Sequence, residues 1–585
     1  MQPADHIRAS RACRSPRARG GGTLDRAARR DPLWLAALVL ATPALWAQTP
    51  PARPSACPSM SPCAGPSASA SSPGAEPTAP GEPAPAGPVF ILRQVRFSGN
   101  SVFDGPTLAA LMADRIGRPV GFAELQALAG RVTEHYQAAG YVLAQAVLPQ
   151  QEVRDGVVDY SVVEGRLGRM RIETAGAIPV PEDTVRRTVA GLEPGQALRR
   201  AALERAMLLL GDLPGLAPQS SLEAGDEPGS FDLVVELRPA PRLNFSVDAD
   251  NHGTRATGAH RLGGQLRVNS PFGIGDNLDL RLLTSSGKGL TFGRAGYEAP
   301  IGPAGLRAGV AYARLDYALG HELAPLDASG RAEVLELSLA YPLLRSRQRN
   351  LFARLSAERK ELDDHIGVVA QTSGKTIRSV GAGLVYEGRD DGAGGGYTGA
   401  GLSAYIGRLK RATAPGLASD LSSDQAADGA PASGRALRLV YHATRLQPVS
   451  AATSVLVALA GQWASRNLDS AEQLAAGGPR AVRAYPSSAG LGDEVHVLNV
   501  EYRWNFRPEA VASLFHDIGW VRAIHRDPQP GVPNRLTLRG LGASLYWNPR
   551  PGLTLQASLA WRASRREPGG DSRSPRLFAQ IVQAF

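Results

Sequence analysis

Several residues of this sequence are of the types that form phosphate, dinucleotide or metal sites. Each of them lacks the neighbouring residues that such a site needs. Gly374-Lys375-Thr376 has the form of the end of a phosphate-binding loop, but Val369 stands where such a loop needs its first glycine. The glycine run from Gly392 to Gly396 lacks the strand-to-helix context of a dinucleotide site. His516-Asp517 has no second histidine at helical spacing that would complete a metal site. We therefore expect no enzymatic activity, no cofactor and no metal.

The chain begins with a basic stretch followed by an apolar run, which is the order found in secretory signal peptides. Residues 1–47 contain eight arginines and an apolar run from Leu33 to Leu45, and we expect cleavage after Ala47. The alternative is a transmembrane anchor, but the run is shorter than the roughly 20 residues that a spanning helix needs, and Pro43 interrupts it. This stretch holds half of the formal net charge of +10, and no compact cluster of Lys and Arg follows it. We therefore expect no nucleic-acid partner.

Residues 48–87 are dominated by Pro, Ala, Ser and Gly and contain few large apolar side chains. Such a segment buries too little surface to offset the entropy of ordering, so we predict a flexible linker. Cys57 and Cys63 lie in this tract, and no metal-ligand spacing accompanies them. A small local disulfide in the periplasm is left open.

Two small modules follow the linker, at residues 88–166 and 167–240. In the first, Val95 and Phe97 alternate as in a strand, and apolar residues recur at helical spacing between Phe122 and Tyr136. The order of strand, helix, helix, strand, strand then recurs in the second module. Two tandem copies of one β-α-α-β-β domain are the simplest interpretation.

Alternating apolar and polar residues dominate residues 241–585, where no amphipathic helix is indicated. From Leu553 to Trp561, for example, one face is apolar and the other is polar. Sixteen such stretches begin near residues 243, 259, 277, 290, 306, 332, 350, 376, 398, 436, 453, 494, 510, 536, 552 and 576. The stretch near residue 536 is interpreted as one strand with a phase slip at Gly540. Long connections alternate with short ones, as the surface loops and periplasmic turns of outer-membrane barrels do.

The predicted fold is an all-β transmembrane barrel of 16 antiparallel strands, preceded by two small α+β (β-α-α-β-β) periplasmic domains. Tryptophans near both ends of the strands predict two aromatic girdles, and they are Trp463, Trp504, Trp520, Trp547 and Trp561. A soluble β-rich protein is the alternative, and it explains neither the alternating loop lengths nor the terminal Phe585.

Several motifs within residues 88–585 resemble those of the transporters of two-partner secretion, the haemolysin secretion/activation protein family. Those similar to the family's polypeptide-transport-associated (POTRA) domains are Gly140-Tyr141, Leu148 to Gln151, Asp155-Gly156, Val162 to Gly165 and, for the second domain, Asp212 to Gly215. Those similar to turns of the family's barrel are Asn269 to Gly273, Gly275-Asp276, Tyr297 to Gly302, Tyr341 to Leu343 and Arg345 to Arg347.

The most specific resemblance lies in the sixth predicted surface loop, in Gly477, Gly478, Val482, Arg483 and Tyr485. In the family this loop folds back into the barrel lumen, and its arginine meets the aspartate of a Phe-x-Asp-x-Gly segment. Here the residues of that segment are Phe515, Asp517 and Gly519. The resemblance therefore implies a lumenal pair of Arg483 and Asp517. The family most often has glycine where Ala484 stands, which bears on any backbone conformation there that needs a positive φ.

The last strand resembles the terminal signal by which outer-membrane barrels are recognised for assembly. Alternate residues from Leu577 to Phe585 form it, and Gln583 departs from the apolar residue that is usual at its position. A second departure concerns the N-terminal helix that plugs the barrel in many members, because residues 48–87 are too rich in proline to form one.

The resemblance implies a transporter in the outer membrane of a Gram-negative bacterium, with its POTRA domains in the periplasm. It would export an unfolded exoprotein, such as a haemolysin, an adhesin or a toxin, to the cell surface. Outer-membrane lipid and the barrel assembly machinery are the other expected partners, and a monomer is favoured. An outer-membrane insertase is the alternative, although insertases typically carry more modules. A passive porin would lack residues 88–240.

Overall fold

The computed structural model describes residues 89–411, 434–526, 533–563 and 573–585. The predicted signal peptide and linker, with Cys57 and Cys63, lie outside these described residues. None of the helices in the described ranges is long and apolar enough to cross a membrane.

The first module is a three-stranded sheet packed against two helices. Its elements are β1 (Phe90–Ile91), β2 (Gln94–Ser98), α1 (Gly105–Ala110), β3 (Pro119–Val120), α2 (Phe122–Ala138), β4 (Gln145–Val147) and β5 (Val157–Val163). Strand β5 is central, parallel to β2 and antiparallel to β4. The buried face of α2 includes Leu125, Leu128, Val132 and Tyr136. The helical spacing in the sequence thus marks the face that packs into the module core.

A buried carboxylate fastens the end of β5 to the segment between β2 and α1. Glu164 is 3% exposed and accepts hydrogen bonds from the amides of Ser101 (2.6 Å) and Val102 (2.7 Å) and from the hydroxyl of Tyr136 (2.9 Å). Burial acts to raise the pKa of Glu164, but these hydrogen bonds outweigh it and lower the pKa below its ordinary value. The carboxylate therefore stays charged and holds the last residues of the first module in place.

The second module repeats the topology of the first. Its elements are β6 (Arg166–Thr174), α3 (Glu182–Val189), α4 (Arg200–Gly211), β7 (Leu216–Ala224) and β8 (Ser230–Pro239). Strand β8 is central, parallel to β6 and antiparallel to β7. The predicted tandem of two small α+β domains is confirmed.

The remaining strands form a closed antiparallel barrel of sixteen strands, as predicted. They are β9 (Leu243–Asp250), β10 (Arg261–Asn269), β11 (Asn277–Ser285), β12 (Leu290–Ile301), β13 (Leu306–Ala318), β14 (Ala328–Arg345), β15 (Arg349–Ile366), β16 (Gln371–Asp390), β17 (Gly396–Arg411), β18 (Gly434–Pro448), β19 (Thr453–Ala464), β22 (Glu494–Arg507), β23 (Ala510–Arg522), β24 (Arg535–Arg550), β25 (Leu553–Arg562) and β26 (Arg576–Ala584). Two short strands, β20 (Leu474–Ala475) and β21 (Leu491–Gly492), pair within the connection from β19 to β22.

The two faces of the barrel wall differ as alternation requires. On β23 Leu514 is 66% exposed on the outer surface, whereas Asp517 is fully buried on the lumenal face. The phase slip predicted at Gly540 is wrong, because β24 pairs with β23 in one continuous register. Leu538 faces the lumen and is buried in the same apolar cluster as Val482. Part of the inward face of β24 is therefore apolar, in contrast to the outward apolar face of the other strands. In the sequence, this change of the apolar face has the pattern of a phase slip.

The second module is fastened to the periplasmic end of the barrel by an ion pair. The carboxylate of Asp212 accepts two hydrogen bonds from Arg345, from Nε at 2.9 Å and from Nη2 at 2.7 Å. Arg307 Nη1 donates to the backbone oxygen of Asp212 at 3.2 Å, and the Ser270 hydroxyl donates to the backbone oxygen of Pro214. Motifs that are far apart in the sequence therefore meet at one junction.

The barrel closes along a short seam between its last strand and its first. The ladder of β26 and β9 joins five residue pairs, from Gln580↔Asp250 to Ala584↔Ser246. Beyond it, the amide of Phe585 donates to the oxygen of Phe245 at 2.9 Å, and the two rings stack with centroids 5.7 Å apart. Phe585 thus extends the short ladder by one further contact.

We expect Phe585→Ser to reduce the amount of assembled barrel, because the substitution removes an aromatic contact of about 1 kcal/mol from the seam and weakens the terminal signal. Heat-modifiable barrel in outer-membrane fractions is the measurement. The control is Val449→Ser, which changes another exposed apolar residue, 63% accessible, near a periplasmic turn. Equal amounts of barrel from Phe585→Ser and the control would contradict this assignment.

Candidate functional site

The connection between β19 and β22 folds into the barrel, and we call residues 465–493 the lumenal loop. Its buried residues include Ala476, Val482, Ala484 and Tyr485, each no more than 1% exposed. They form one apolar cluster with inward-facing residues of the barrel wall. A surface connection with so many buried residues packs inside the protein, because loops in contact with water leave such side chains exposed.

Arg483 is held by two carboxylates of the barrel wall. Its Nε and Nη2 atoms donate to Asp517 at 2.9 and 2.7 Å, and its backbone amide donates to the same carboxylate at 3.0 Å. Its Nη1 atom donates to Glu501 at 2.6 Å. The side chains of Arg483, Asp517 and Glu501 are 8%, 0% and 12% exposed. The planar guanidinium thus bridges β22 and β23 with fixed geometry.

An aromatic ring and an amide complete the surroundings of this arginine. The guanidinium carbon of Arg483 lies 3.3 Å from the ring centroid of Phe515, which is a cation–π contact. Asn499 donates to Asp517 at 2.7 Å and to the backbone oxygen of Ala481 at 2.9 Å. The pair is therefore hydrogen-bonded as well as charged, as a buried ion pair needs to be.

Glycines of the barrel wall let the lumenal loop approach closely. A Cβ atom on Gly519 would lie 2.9 Å from Val482, and one on Gly540 would lie 2.8 Å from the Cβ of Ala484. Ala484 itself does not have a positive φ, so alanine fits where the family most often has glycine. Gly478 has a φ of 121°, a conformation that favours glycine.

Arg562 of β25 supports the other side of the motif. Its Nε atom donates to the backbone oxygen of Ala484 at 3.3 Å, and its guanidinium carbon lies 5.0 Å from the ring centroid of Tyr485. Tyr485 is 1% exposed. Strands β22 to β25 therefore all contact residues 481–485. We call these contacts the first anchor of the lumenal loop.

A second anchor holds the same loop to a different part of the barrel wall. Glu472 forms ion pairs with Lys360 of β15 and, at 2.7 Å, with Arg438 of β18. Asp469 pairs with Lys375 of β16 at 3.2 Å. The side chains of Glu472, Lys360, Lys375 and Asp469 are at most 10% exposed. The lumenal loop is thus fixed at two points, on β15 to β18 and on β22 to β25, and these two groups of strands are separated by β19.

The structure brings the residues of the two sequence motifs together, with Val482 and Arg483 of the loop against Asp517 and Gly519 of β23. Phe585 lies apart from them at the seam. Sequence reasoning missed Glu501 and Asn499, for which the only signal is their alternation with the apolar residues of β22. It also missed the second anchor, for which the sequence carries no motif. Within the described residues, no group of three His, Cys, Asp or Glu side chains could hold a metal ion.

Comparison with protein families identifies two regions of the chain. The profile of the POTRA domain, ShlB-type, matches residues 90–165. The profile described as haemolysin secretion/activation protein ShlB/FhaC/HecB matches residues 229–546, which is more than half of the chain.

Individual relatives agree with this result. The heme/hemopexin transporter protein HuxB of Haemophilus influenzae is 27% identical over 480 residues, covering 80% of this chain and 83% of the relative. The outer membrane transporter CdiB of Escherichia coli is 24% identical over 460 residues, covering 76% and 74% of the two chains. The solved structure of CdiB from Escherichia coli has a TM-score of 0.68 at 22% identity, covers 85% of this chain and 91% of that chain, and shows the same fold.

The extent of the family match, together with the sixteen-stranded barrel and the POTRA domain at residues 90–165, shows that this chain belongs to the haemolysin secretion/activation protein family, the outer-membrane transporters of two-partner secretion.

Proposed function

We propose that this transporter passes an unfolded exoprotein through the barrel lumen, and that displacement of the lumenal loop opens the path. The observation that carries the proposal is the pair of anchors that hold the loop inside the barrel, because a loop that is fixed in a pore at two points obstructs whatever passes through it. An extended polypeptide in the lumen would compete for the space that Val482 and Tyr485 now fill.

The energy of the proposed transport comes from the cargo. The periplasm holds no ATP, and no nucleotide site is indicated in the sequence. Folding of the exoprotein outside the cell would make its return unfavourable, so that net movement runs outward. The transporter then has to hold the cargo unfolded and keep the pore closed until cargo arrives.

Capture of the cargo is proposed to use one edge strand of the second module, β7. Strand β7 is an edge strand of its sheet and is nine residues long, and its last four residues are all exposed. An extended peptide can satisfy its own backbone groups by adding a strand to such an edge. This mode of binding depends little on the cargo sequence and gives modest affinity. Lipid of the outer membrane and the barrel assembly machinery complete the proposed partners, with a monomer as the working unit.

Arg483→Ala is expected to reduce export while the barrel still assembles. The substitution leaves Asp517 buried without its cation, a penalty of about 3–5 kcal/mol for a dry pair and less where water enters the lumen. Because the second anchor and the strand ladders remain, the first anchor should be lost before the barrel unfolds. The measurement is exoprotein in the medium, normalised to heat-modifiable transporter in the outer membrane.

The matched control for this variant is Arg445→Ala, which breaks an Arg–Asp pair with Asp390 that lies away from the lumenal loop. Export should persist in the control. The double variant Arg483→Asp/Asp517→Arg tests whether charge pairing is what matters. We expect it to export more exoprotein than the single variants do. Normal export by both Arg483→Ala and Asp517→Ala would refute the role of the pair.

Proline substitutions in β7 test the capture edge. Neighbouring amides of a strand point in opposite directions, so one of Ser220→Pro and Ser221→Pro removes a donor to β8 and the other removes only a free-edge donor. The variant that loses only the free-edge donor should keep its thermal stability. It should bind an unfolded N-terminal cargo fragment several-fold more weakly than the wild-type full-length protein. If that variant binds the fragment with unchanged affinity, the cargo does not pair with β7.

A further inference from the structure

Four arginines lie side by side across four neighbouring strands of the barrel. Arg359 of β15 is directly opposite Arg378 of β16, which is opposite Arg408 of β17, which is opposite Arg435 of β18. All four are exposed. We call this set the arginine row, and the register shows that its members lie on one line across the four strands.

The arginine row is on the outer face of the barrel wall. Ile377 and Leu409, each next to a member of the row, are buried on the lumenal side at 3% and 7% exposure. Two residues nearer the periplasm on the outer face, Val380 and Ile406 are paired and are 64% and 61% exposed. An apolar surface therefore ends where the row begins.

The height of the row corresponds to the outer border of the membrane. Each member is ten to thirteen positions from the periplasmic end of its strand. At about 3.3 Å per residue and a tilt of about 40°, the row lies roughly 25–33 Å above those ends, and the apolar band of outer-membrane barrels is about 25 Å tall. The side chains therefore reach the headgroup region of the outer leaflet.

The row lacks the internal compensation that the neighbouring strands have. On β13 and β14, Arg314 is opposite Glu333 and Asp316 is opposite Arg331, and both arginines pair with Asp316. Like charges directly opposite each other destabilise a sheet, whereas opposite charges stabilise it.

Within the row, Arg359 has a carboxylate partner, Glu361. In the described parts of the chain, no carboxylate forms a salt bridge with Arg378, Arg408 or Arg435. A repulsive arrangement at the membrane border needs anions from outside the protein.

We propose that the arginine row binds the phosphate groups of the phosphorylated glycolipid that forms the outer leaflet, and so fixes lipid against β15 to β18. Guanidinium groups bind phosphate through paired hydrogen bonds, which suits arginine better than lysine. Three strand spacings of about 4.8 Å separate the ends of the row, so it spans about 14 Å. That length accommodates a headgroup with two phosphates better than the single phosphate of a phospholipid.

The test measures binding of lipid A with two phosphates to the purified full-length protein in detergent, by native mass spectrometry and by titration. The wild-type protein should prefer this lipid to dephosphorylated lipid A and to phosphatidylglycerol, and raising the salt concentration should weaken binding. The variant R378Q/R408Q/R435Q should bind on the order of 100-fold more weakly, at about fivefold for each cation near an anionic surface.

The matched control is R314Q/R331Q, which removes two outer-face arginines that already have carboxylate partners and should leave binding unchanged. Heat-modifiable migration checks that each variant folds. If the triple glutamine variant does not fold, R378K/R408K/R435K takes its place and should bind with intermediate affinity. Wild-type affinity in a folded triple glutamine or lysine variant, equal binding of phosphatidylglycerol, or binding that is independent of salt would each overturn the proposal.

Discussion

The closure of the sheet between β26 and β9 is the contact on which the rest of the barrel depends. Hydrocarbon offers no partner for an unpaired amide or carbonyl, so a membrane-spanning sheet is stable only when its first and last strands meet. Closure also separates the two faces of every strand, one toward lipid and one toward a lumen. The ladder at the seam is short. The charges of Asp517 and Glu501 can be accommodated only because that separation exists.

Much of this architecture could be predicted from the sequence because its signals are local. Alternation with a period of two residues reveals a strand without knowledge of its neighbours, and this accounts for the correct number of barrel strands. Arg483 and Asp517 could be paired because each lies in a recognisable motif. At Gly540 the same reasoning failed, because the lumenal loop makes part of the inward face apolar. Nothing in the sequence indicates the contact between the lumenal loop and this face of β24.

The remaining contacts could not be predicted because they join distant positions whose pairing nothing in the sequence indicates. Glu472 and Lys360 are more than one hundred residues apart, and neither lies in a motif. Asp212 and Arg345, which connect the second module to the periplasmic end, each lie in a motif, but neither motif indicates that the two residues pair. Because this ion pair is bidentate and partly buried, it limits rotation of the module against the pore entrance. Under the proposed mode of capture, cargo bound to the module would therefore be held near that entrance.

The two anchors of the lumenal loop act on each other in the way that the two donor atoms of a chelating ligand do. When one anchor detaches, the other keeps the freed segment near its partner at an effective concentration that is in the millimolar range for short flexible links. Rebinding of the detached anchor is then faster than departure of the whole loop from the lumen. A fluctuation of either anchor alone leaves the loop in the lumen, and departure requires both to be free at once. Under the proposed function, two interactions of moderate strength can in this way keep the channel closed for longer than either lasts by itself.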